Sequence, residues 1–417
     1  MKNKLIYGLN QADEWTPLVY GETRQDVQAR FRDVEPRVLR IFLFDKSGPD
    51  TLGEWHVLRH YVQAVLDVGA VPMITFAKLR GIYDDPRAIR VFAEECADVV
   101  WSCMQQWGAE EVVKWYWAVW NEPNSTLIGG GLGFDQYKRI YEAVARRCAK
   151  WLTPHLGGKK MLFGGPGIEA FQPLWMDWAH RFVREIDDEL VGFLDWHTYG
   201  EWRREGEYGA SSDPSRFREG MLWATHDYES RAKLMSRLIR GRSILNVCGE
   251  YNAHSHEDPE VRRRFNYTTF TATFYASALV HLLRGGVDLE MYWSGVDSDG
   301  GYGMLDAKGN PRPVFYAKKL AVNHVRTGDL ISFPDHHDAR FDIVVSRGDD
   351  GRTSAFVSHV RDAESQLASE LLATLVPDAK TVHKIDGGTA GGLTSAPYER
   401  KLSFEGFGVA VVTNRDE

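Results

Sequence analysis

Two glutamates stand out by what flanks them. Asn121-Glu122-Pro123-Asn124 and Gly249-Glu250-Tyr251-Asn252 each close a short run of β-branched and aromatic residues. Other polar or aromatic groups hold comparable places: Arg40 within Val38–Phe44, Asp195, His197 and Tyr199 along and just beyond Phe193–His197, and Trp293 at the end of Leu289–Trp293. Two carboxylates facing one another across a cleft are what glycosidic bond cleavage requires. One stays protonated and donates to the leaving oxygen; the other attacks the anomeric carbon or activates water. Repulsion between the like charges raises the pKa of one partner, which gives the two groups separate tasks. A carboxylate at a strand end can also cap the next helix or pair with an arginine. The elements that carry the two glutamates decide between these roles.

Those elements read as repeated βα units. Strands are expected at Leu5–Asn10, Val38–Phe44, Val71–Phe76, Trp115–Trp120, Met161–Gly165, Phe193–His197, Ser243–Cys248 and Leu289–Trp293. Helical spacing fills Leu52–Val68, Pro86–Trp107, Phe134–Trp151, Pro173–Leu190, Arg216–Arg240, Pro259–Leu283 and Val314–Val325. This alternation predicts a (β/α)₈ TIM barrel over residues 1–328. A doubly wound sheet would show a glycine fingerprint after its first strand, and Asn10-Gln11-Ala12-Asp13 is no phosphate loop. In a barrel, catalytic groups sit at the C-terminal ends of the strands. The fourth and seventh strands lie across the mouth from each other, which sets Glu122 opposite Glu250.

The period changes after about Gly328. Phe341–Val345, Thr353–Val360, Leu371–Val376, Thr381–Ile385 and Leu402–Val412 read as strands separated by Asp-Gly, Gly-Gly and Pro turns. A small all-β sandwich module is expected over residues 329–417, docked on the barrel without a low-complexity linker.

Composition narrows the partners. The chain has 417 residues, 43% hydrophobic and 26% charged, with a net charge of −8. That suits a globular protein and gives no reason to expect a nucleic acid or an acidic membrane surface as partner. No apolar run reaches the ~18–20 residues of a membrane span. Cys96, Cys103, Cys148 and Cys248 form no C-x-x-C pair, so buried free thiols in a reducing compartment are expected. The start of the chain runs directly into the first strand, which predicts a cytoplasmic protein, or a secreted one if a leader was removed. The 14 Trp, 17 Tyr and 20 Phe suit both sugar faces and a large core. No metal or other cofactor is expected. His254-Ser255-His256-Glu257-Asp258 follows the seventh strand and reads as a polar active-site loop, with His256 a candidate for substrate contact. Gly129-Gly130-Gly131-Leu132-Gly133 lacks a phosphate-loop lysine and reads as a flexible edge of the cleft. Arg262-Arg263-Arg264 reads as a solvated helix face, and Cys248 as a small buried strand residue.

The run Trp117-Ala118-Val119-Trp120-Asn121-Glu122-Pro123-Asn124 resembles the acid/base signature of glycoside hydrolase family 39. More broadly it resembles the Asn-Glu-Pro strand-4 signature of the clan A retaining glycosidases. Gly249-Glu250-Tyr251-Asn252 looks like that family's nucleophile motif, and Gly164-Gly165-Pro166 and Asp195-Trp196-His197-Thr198-Tyr199 resemble its strand-5 and strand-6 ends. The resemblance implies a glycosidase acting on carbohydrate, with Glu122 as general acid/base and Glu250 as nucleophile. Asn121 would bond the substrate 2-hydroxyl, and Tyr199 or His197 would orient the nucleophile. Arg40 would lie beneath Glu250, and Trp293 would floor the innermost sugar site.

Two positions depart from the family's β-xylosidases. Those usually carry Arg-x-His on strand 2, where Arg40-Ile41-Phe42 stands here. They also carry an acidic pair after the strand-8 Trp, where Gly300 and Gly301 stand here, with Asp297 and Asp299 nearby. The reaction type survives these changes; xylose as substrate does not. An exo-acting hydrolase of oligosaccharides is the expectation. The alternatives are an endo-acting hydrolase of an exopolysaccharide or plant polysaccharide, a non-catalytic carbohydrate-binding barrel, and a metal-dependent hydrolase using His197 and the His254/His256 loop.

Overall fold

Strands that are apolar on both faces need cover on both faces, and a closed parallel barrel wrapped in helices supplies it. The computed structural model describes the chain apart from residues 13–14, 44–54, 78–83, 127–128, 170–172, 201–213, 256–257 and 417. Its centre is a closed barrel of β1 (Ile6–Gln11), β2 (Val38–Leu43), β3 (Val71–Phe76), β4 (Tyr116–Val119), β5 (Phe163–Ile168), β6 (Phe193–Tyr199), β7 (Leu245–Asn252) and β8 (Leu289–Tyr292). Every neighbouring pair is parallel, β8 closing on β1.

The inside of the barrel changes character along its axis. Val38, Met73, Tyr116, Phe193, Val247 and Leu289 fill its lower part as one apolar cluster. Two residues further along three of these strands come Arg40, Thr75 and Asp195, all buried. Because side chains alternate with period two, each step of two residues keeps the same inward face. The polar groups at the mouth therefore stand on an apolar plug.

Helices cover the outside, among them Trp55–Asp67, Pro86–Trp107, Phe134–Leu152, Pro173–Glu185, Pro214–Leu238, Thr269–Gly285 and Pro313–His324. The structure adds helices at Thr16–Val19 and Arg24–Asp33, which the apolar spacing did not signal. Arg24–Asp33 buries only Val27, Gln28 and Phe31, too sparse a stripe to read. The expected helix over Pro259–Leu283 is two helices, Pro259–Asn266 and Thr269–Gly285, parted by extended backbone at Thr268. The second is buried on nearly every side, since it lies between the barrel and the C-terminal sheets. Ser358 Oγ donates to Thr273 O at 3.1 Å and Phe270 packs edge-on to Phe407 at 5.4 Å.

After β8, β9 (Val296–Asp297) and β10 (Leu305–Asp306) form a short parallel pair. The C-terminal strands are β11 (Leu330–Ser332), β12 (Phe341–Arg347), β13 (Thr353–His359), β14 (Ser365–Leu367), β15 (Thr381–Ile385), β16 (Thr394–Pro397), β17 (Leu402–Phe404) and β18 (Gly408–Thr413). They form a six-stranded antiparallel sheet, ordered β11-β12-β13-β18-β15-β16, and a two-stranded sheet, β14-β17. One expected strand is corrected. Leu371–Val376 falls on a helix, Ser369–Leu375. Leucine and alanine favour helix, and Leu372 and Leu375, three apart, turn one face inward. The expected strand Leu402–Val412 is split into β17 and β18 by a turn.

Candidate active site

Arg40 organises the barrel mouth from below. It is fully buried, and its guanidinium meets five neighbours on four strands or strand ends. Nε donates to Thr75 Oγ1 at 2.7 Å and Nη2 to Asn121 Oδ1 at 3.0 Å. Nη2 lies 3.5 Å from Asp195 Oδ2, and Nη1 lies 3.6 Å from Glu250 Oε1 and 3.5 Å from His197 Nε2. Only a planar fork with five donors fits this demand; a lysine would not.

Glu122 is placed by a strained rim. Trp120 and Glu122 both have left-handed backbone, with φ of 73° and 45°. Each such residue costs about 1–3 kcal/mol and persists only where its surroundings hold it. Here the Glu122 N–H donates to Gly167 O and its carbonyl accepts from Ser125 N, both at 2.8 Å. Trp120 Nε1 donates to Gly129 O at 2.8 Å. A Cβ on Gly129 would stand 1.7 Å from Glu122 O, so this glycine is the close-packed underside of the Glu122 turn. At Gly129 the expectation of a flexible edge is thus corrected.

Glu250 is placed by a bulge. Trp196 pairs with Cys248 and His197 with Glu250, so Gly249 is the extra residue of β7. The bulge re-aims the following side chain, and it needs glycine because a Cβ there would stand 1.9 Å from Asp195 Oδ1. Tyr199 OH then donates to Glu250 Oε2 at 2.9 Å. His197 makes its 2.8 Å contact with Glu122 Oε1 through Nδ1 and stands 3.6 Å from Glu250 Oε2. Of the two residues expected at the nucleophile, Tyr199 bonds it, while His197 bonds the other glutamate. An oxygen of each glutamate and a nitrogen of His197 all lie within 4.8 Å of one another.

Burial raises the Glu122 carboxyl. His197 pulls it back by its hydrogen bond and charge, Glu250 and Glu169 push it up, and it comes to rest at about 7. For His197 burial works downwards, but Glu250, Asp195 and Glu122 outweigh it and lift the ring to about 10. Burial would raise Asp195, yet Arg40 and His197 hold it below the usual carboxylate range. Burial and the two glutamates push the Tyr199 phenol well above its ordinary value, which keeps it a hydrogen-bond donor. The site thus pairs a carboxyl that can carry a proton near neutrality with a carboxylate beside a permanent cation. Glu122, His197 and Glu250 are also of the right types to hold a metal. The guanidinium 3.6 Å from Glu250 already supplies positive charge there and would repel a divalent ion.

The remaining candidates divide. Trp293 is half-buried at the mouth, with Phe42 edge-on at 5.5 Å, and Phe42 lies under the Arg40 guanidinium at 4.6 Å. With Oδ1 engaged by Arg40, Asn121 has its amide NH₂ to offer a hydroxyl. His256 lies outside the described residues. His254 is buried beside Phe265 and Tyr302, at 5.3 and 5.8 Å. Asp297 turns into its own loop, accepting from Ser298 N at 2.7 Å and Tyr302 N at 2.9 Å. Asp299 is held by Arg263 at 2.8 Å. Neither replaces the missing acidic pair. Arg262 lies over the Tyr302 ring at 4.3 Å, so that residue is not the solvated face expected of it. Cys248 is buried in β7 as expected. Two neighbours carried no assigned role in the sequence. Asp195 shares the inward face of His197, two residues on, and that spacing was its signal. Glu169, just beyond β5, carries none.

No protein-family model matches the chain. A β-xylosidase of Geobacillus stearothermophilus is 26% identical over 295 residues, 66% of this chain and 53% of that protein. A β-xylosidase of Caldicellulosiruptor saccharolyticus is 21% identical over 254 residues, 58% of this chain and 48% of its own. The chain thus spans about half the length of the curated relatives it matches. Among solved structures, a monomeric β-xylosidase from Caulobacter crescentus CB15 superposes with a TM-score of 0.66 at 15% identity, over 99% of this chain and 97% of that one. A GH39 enzyme from Xanthomonas axonopodis pv. citri gives 0.63 at 16% identity, over 98% and 94%. The resemblance to a family 39-like clan A glycosidase and the TIM-barrel fold both agree with these relatives. Among the described residues no helix is long and apolar enough to cross a membrane.

Proposed function

We propose that the chain is a retaining glycoside hydrolase working by double displacement, with Glu122 as general acid/base and Glu250 as nucleophile. The observation that carries this reading is the convergence of both carboxylates and His197 within 4.8 Å. Retaining glycosidases hold their carboxyls about 5–5.5 Å apart, whereas inverting ones leave about 6.5–9.5 Å for a water. In the first step Glu122 gives its proton to the leaving oxygen while Glu250, held by Tyr199 and Arg40, bonds the anomeric carbon. The glycosyl ester neutralises Glu250, and Glu122, now ionised, takes a proton from the water that releases the sugar. Asn121 bonds the 2-hydroxyl, and Trp293 with Phe42 forms an apolar wall against the ring. Phe42 and the inward-turned Asp297 keep xylose from being carried over from the relatives' names. Exo action on oligosaccharides is the mode we propose.

A panel of nitrophenyl glycosides and oligosaccharides, followed by proton NMR of the first-formed product, tests the proposal. Retained configuration with release of single sugars supports it. An inverted product removes double displacement, and no hydrolysis of any panel member leaves a carbohydrate-binding barrel.

A further inference from the structure

A second cluster of ligating side chains lies away from the barrel mouth, where the barrel's outer helices meet the C-terminal sheet. His226 comes from helix Pro214–Leu238, His281 from helix Thr269–Gly285, and Asp342 from β12. Asp342 Oδ1 stands 3.3 Å from His281 Nε2 and 3.8 Å from His226 Nε2. One ligand atom from each of the three lies within 4.8 Å of the others. Tetrahedral zinc with bonds of about 2.0–2.1 Å separates its ligand atoms by about 3.4 Å. The two separations from Asp342, 3.3 and 3.8 Å, lie close to that spacing, and two imidazoles with one carboxylate are a donor set that suits zinc.

A plain pairing of histidine with aspartate would use one histidine; here two converge on the same aspartate oxygen. His281 is 3% exposed, and its Nε2, 3.3 Å from Asp342 Oδ1, helps hold that carboxyl below the usual carboxylate range although burial would raise it. With an ion on Nε2, Nδ1 faces Glu229 Oε2 at 3.7 Å. Such a carboxylate behind a ligating histidine fixes its tautomer and raises its basicity. The aspartate is aimed as well. Ser277 Oγ donates to Asp342 Oδ2 at 2.7 Å and is itself 2.6 Å from Thr225 Oγ1, which leaves Oδ1 to the two histidines. The His226 side chain is 37% exposed, which gives an ion an entry path and room for a water as fourth ligand.

We propose that His226, His281 and Asp342 form a structural zinc-class site that fastens the C-terminal sheet to the barrel. It is independent of the glycosidase reading, because none of its residues touches the mouth cluster.

The test uses the full chain, stripped by chelator and then titrated with Zn²⁺ in competition with a chromophoric chelator. Cobalt absorption and thermal unfolding serve as second readouts. One equivalent should bind, cobalt should give the visible bands of a tetrahedral N/O site, and the melting temperature should rise with zinc concentration. His226→Ala, at a part-exposed position, should lose the equivalent, and so should Asp342→Asn. Glu229→Gln should keep the stoichiometry and weaken affinity by about 10–100-fold. Absence of a bound equivalent in the unmodified chain overturns the proposal. So does zinc binding that His226→Ala and Asp342→Asn leave unchanged. An equivalent lost in Glu250→Gln but kept in His226→Ala would place the metal at the mouth and overturn it too.

Discussion

Two charge clusters in the barrel are equally buried and are wired in opposite ways. On the outer side of β8, Glu290 Oε1 meets Lys318 Nζ at 2.5 Å, and Tyr251 OH donates to Oε2 at 2.7 Å. Lys318 also donates to Gly8 O at 2.8 Å. Both carboxylate oxygens there are bonded. At the mouth, Glu250 Oε1 makes no hydrogen bond, and Arg40 stands 3.6 Å from it and 3.5 Å from Asp195. A closed pair in low dielectric holds elements together and offers nothing to a ligand. An open one keeps acceptor capacity and strain at the strand ends, together with the left-handed backbone of Trp120 and Glu122. Burial of charge is common to both clusters; what differs is the Glu250 oxygen left without a bond.

The largest effects should come from the open cluster. Glu250→Ala should reduce turnover to background on every substrate, and azide should restore it with a product of inverted configuration. Glu122→Ala should cost about 10²–10⁴-fold on sugars with poor leaving groups. Dinitrophenyl glycosides, which need no proton, should still load the enzyme, and azide should then give a product of retained configuration. Rescue products of the opposite configurations would exchange the two roles.

The closed cluster should answer in stability instead. Lys318→Met strands the Glu290 charge in the barrel wall and should cost about 3–5 kcal/mol in denaturant unfolding. Turnover per folded molecule should stay near that of the unmodified chain. The double change Glu290→Leu with Lys318→Met should recover most of the loss, because it removes the charge together with its partner. If the single variant lost turnover in proportion to stability, the division between scaffold and site would fail.

Much of the mouth was legible because strand alternation is simple. Asp195, His197 and Tyr199 are spaced by two, and Arg40 and Phe42 likewise, so one inward face of each strand reads directly. The apolar residues beneath them follow the same rule. Two bulges broke the rule where it mattered, after Pro166 and at Gly249. A bulge is one residue without a partner, and nothing in the spacing of Gly249-Glu250 declares it; the need for glycine is seen only once Asp195 is beside it. Of the alternatives Tyr199 or His197 at Glu250, Tyr199 makes the hydrogen bond; which of two glutamates 4.8 Å apart or less His197 meets first is a matter of ring rotation that spacing does not declare. In the C-terminal region Leu371–Val376 misled because a run of leucines suits a buried strand or a short helix equally. Glu169 follows β5 in a loop, where no periodicity points a side chain anywhere.

Glu169 allows the finest test of the open cluster. Its N–H donates to Asn124 Oδ1 at 3.2 Å, which ties it to the loop that carries Glu122. Burial raises its own carboxyl, a hydrogen bond from Ser125 and the charge of His197 lower it again, and the balance is upward. Its negative charge is one of the lesser influences that raise Glu122, after burial and behind Glu250. In the proposed mechanism Glu122 holds its proton for the first step, and its carboxyl sits at about 7, so kcat/KM should fall as pH rises through that value. Glu169→Gln removes a repelling charge and keeps the side chain's shape. The anion of Glu122 is then easier to form, its pKa falls, and the alkaline limb of kcat/KM should move to lower pH. The height of the plateau should hardly change, because Glu169 gives and takes no proton in the reaction. A limb that stayed in place would show that solvent screens Glu169 from the site. A limb that moved to higher pH would mean that Glu169 stabilises the ionised form of Glu122, the reverse of the electrostatics described here.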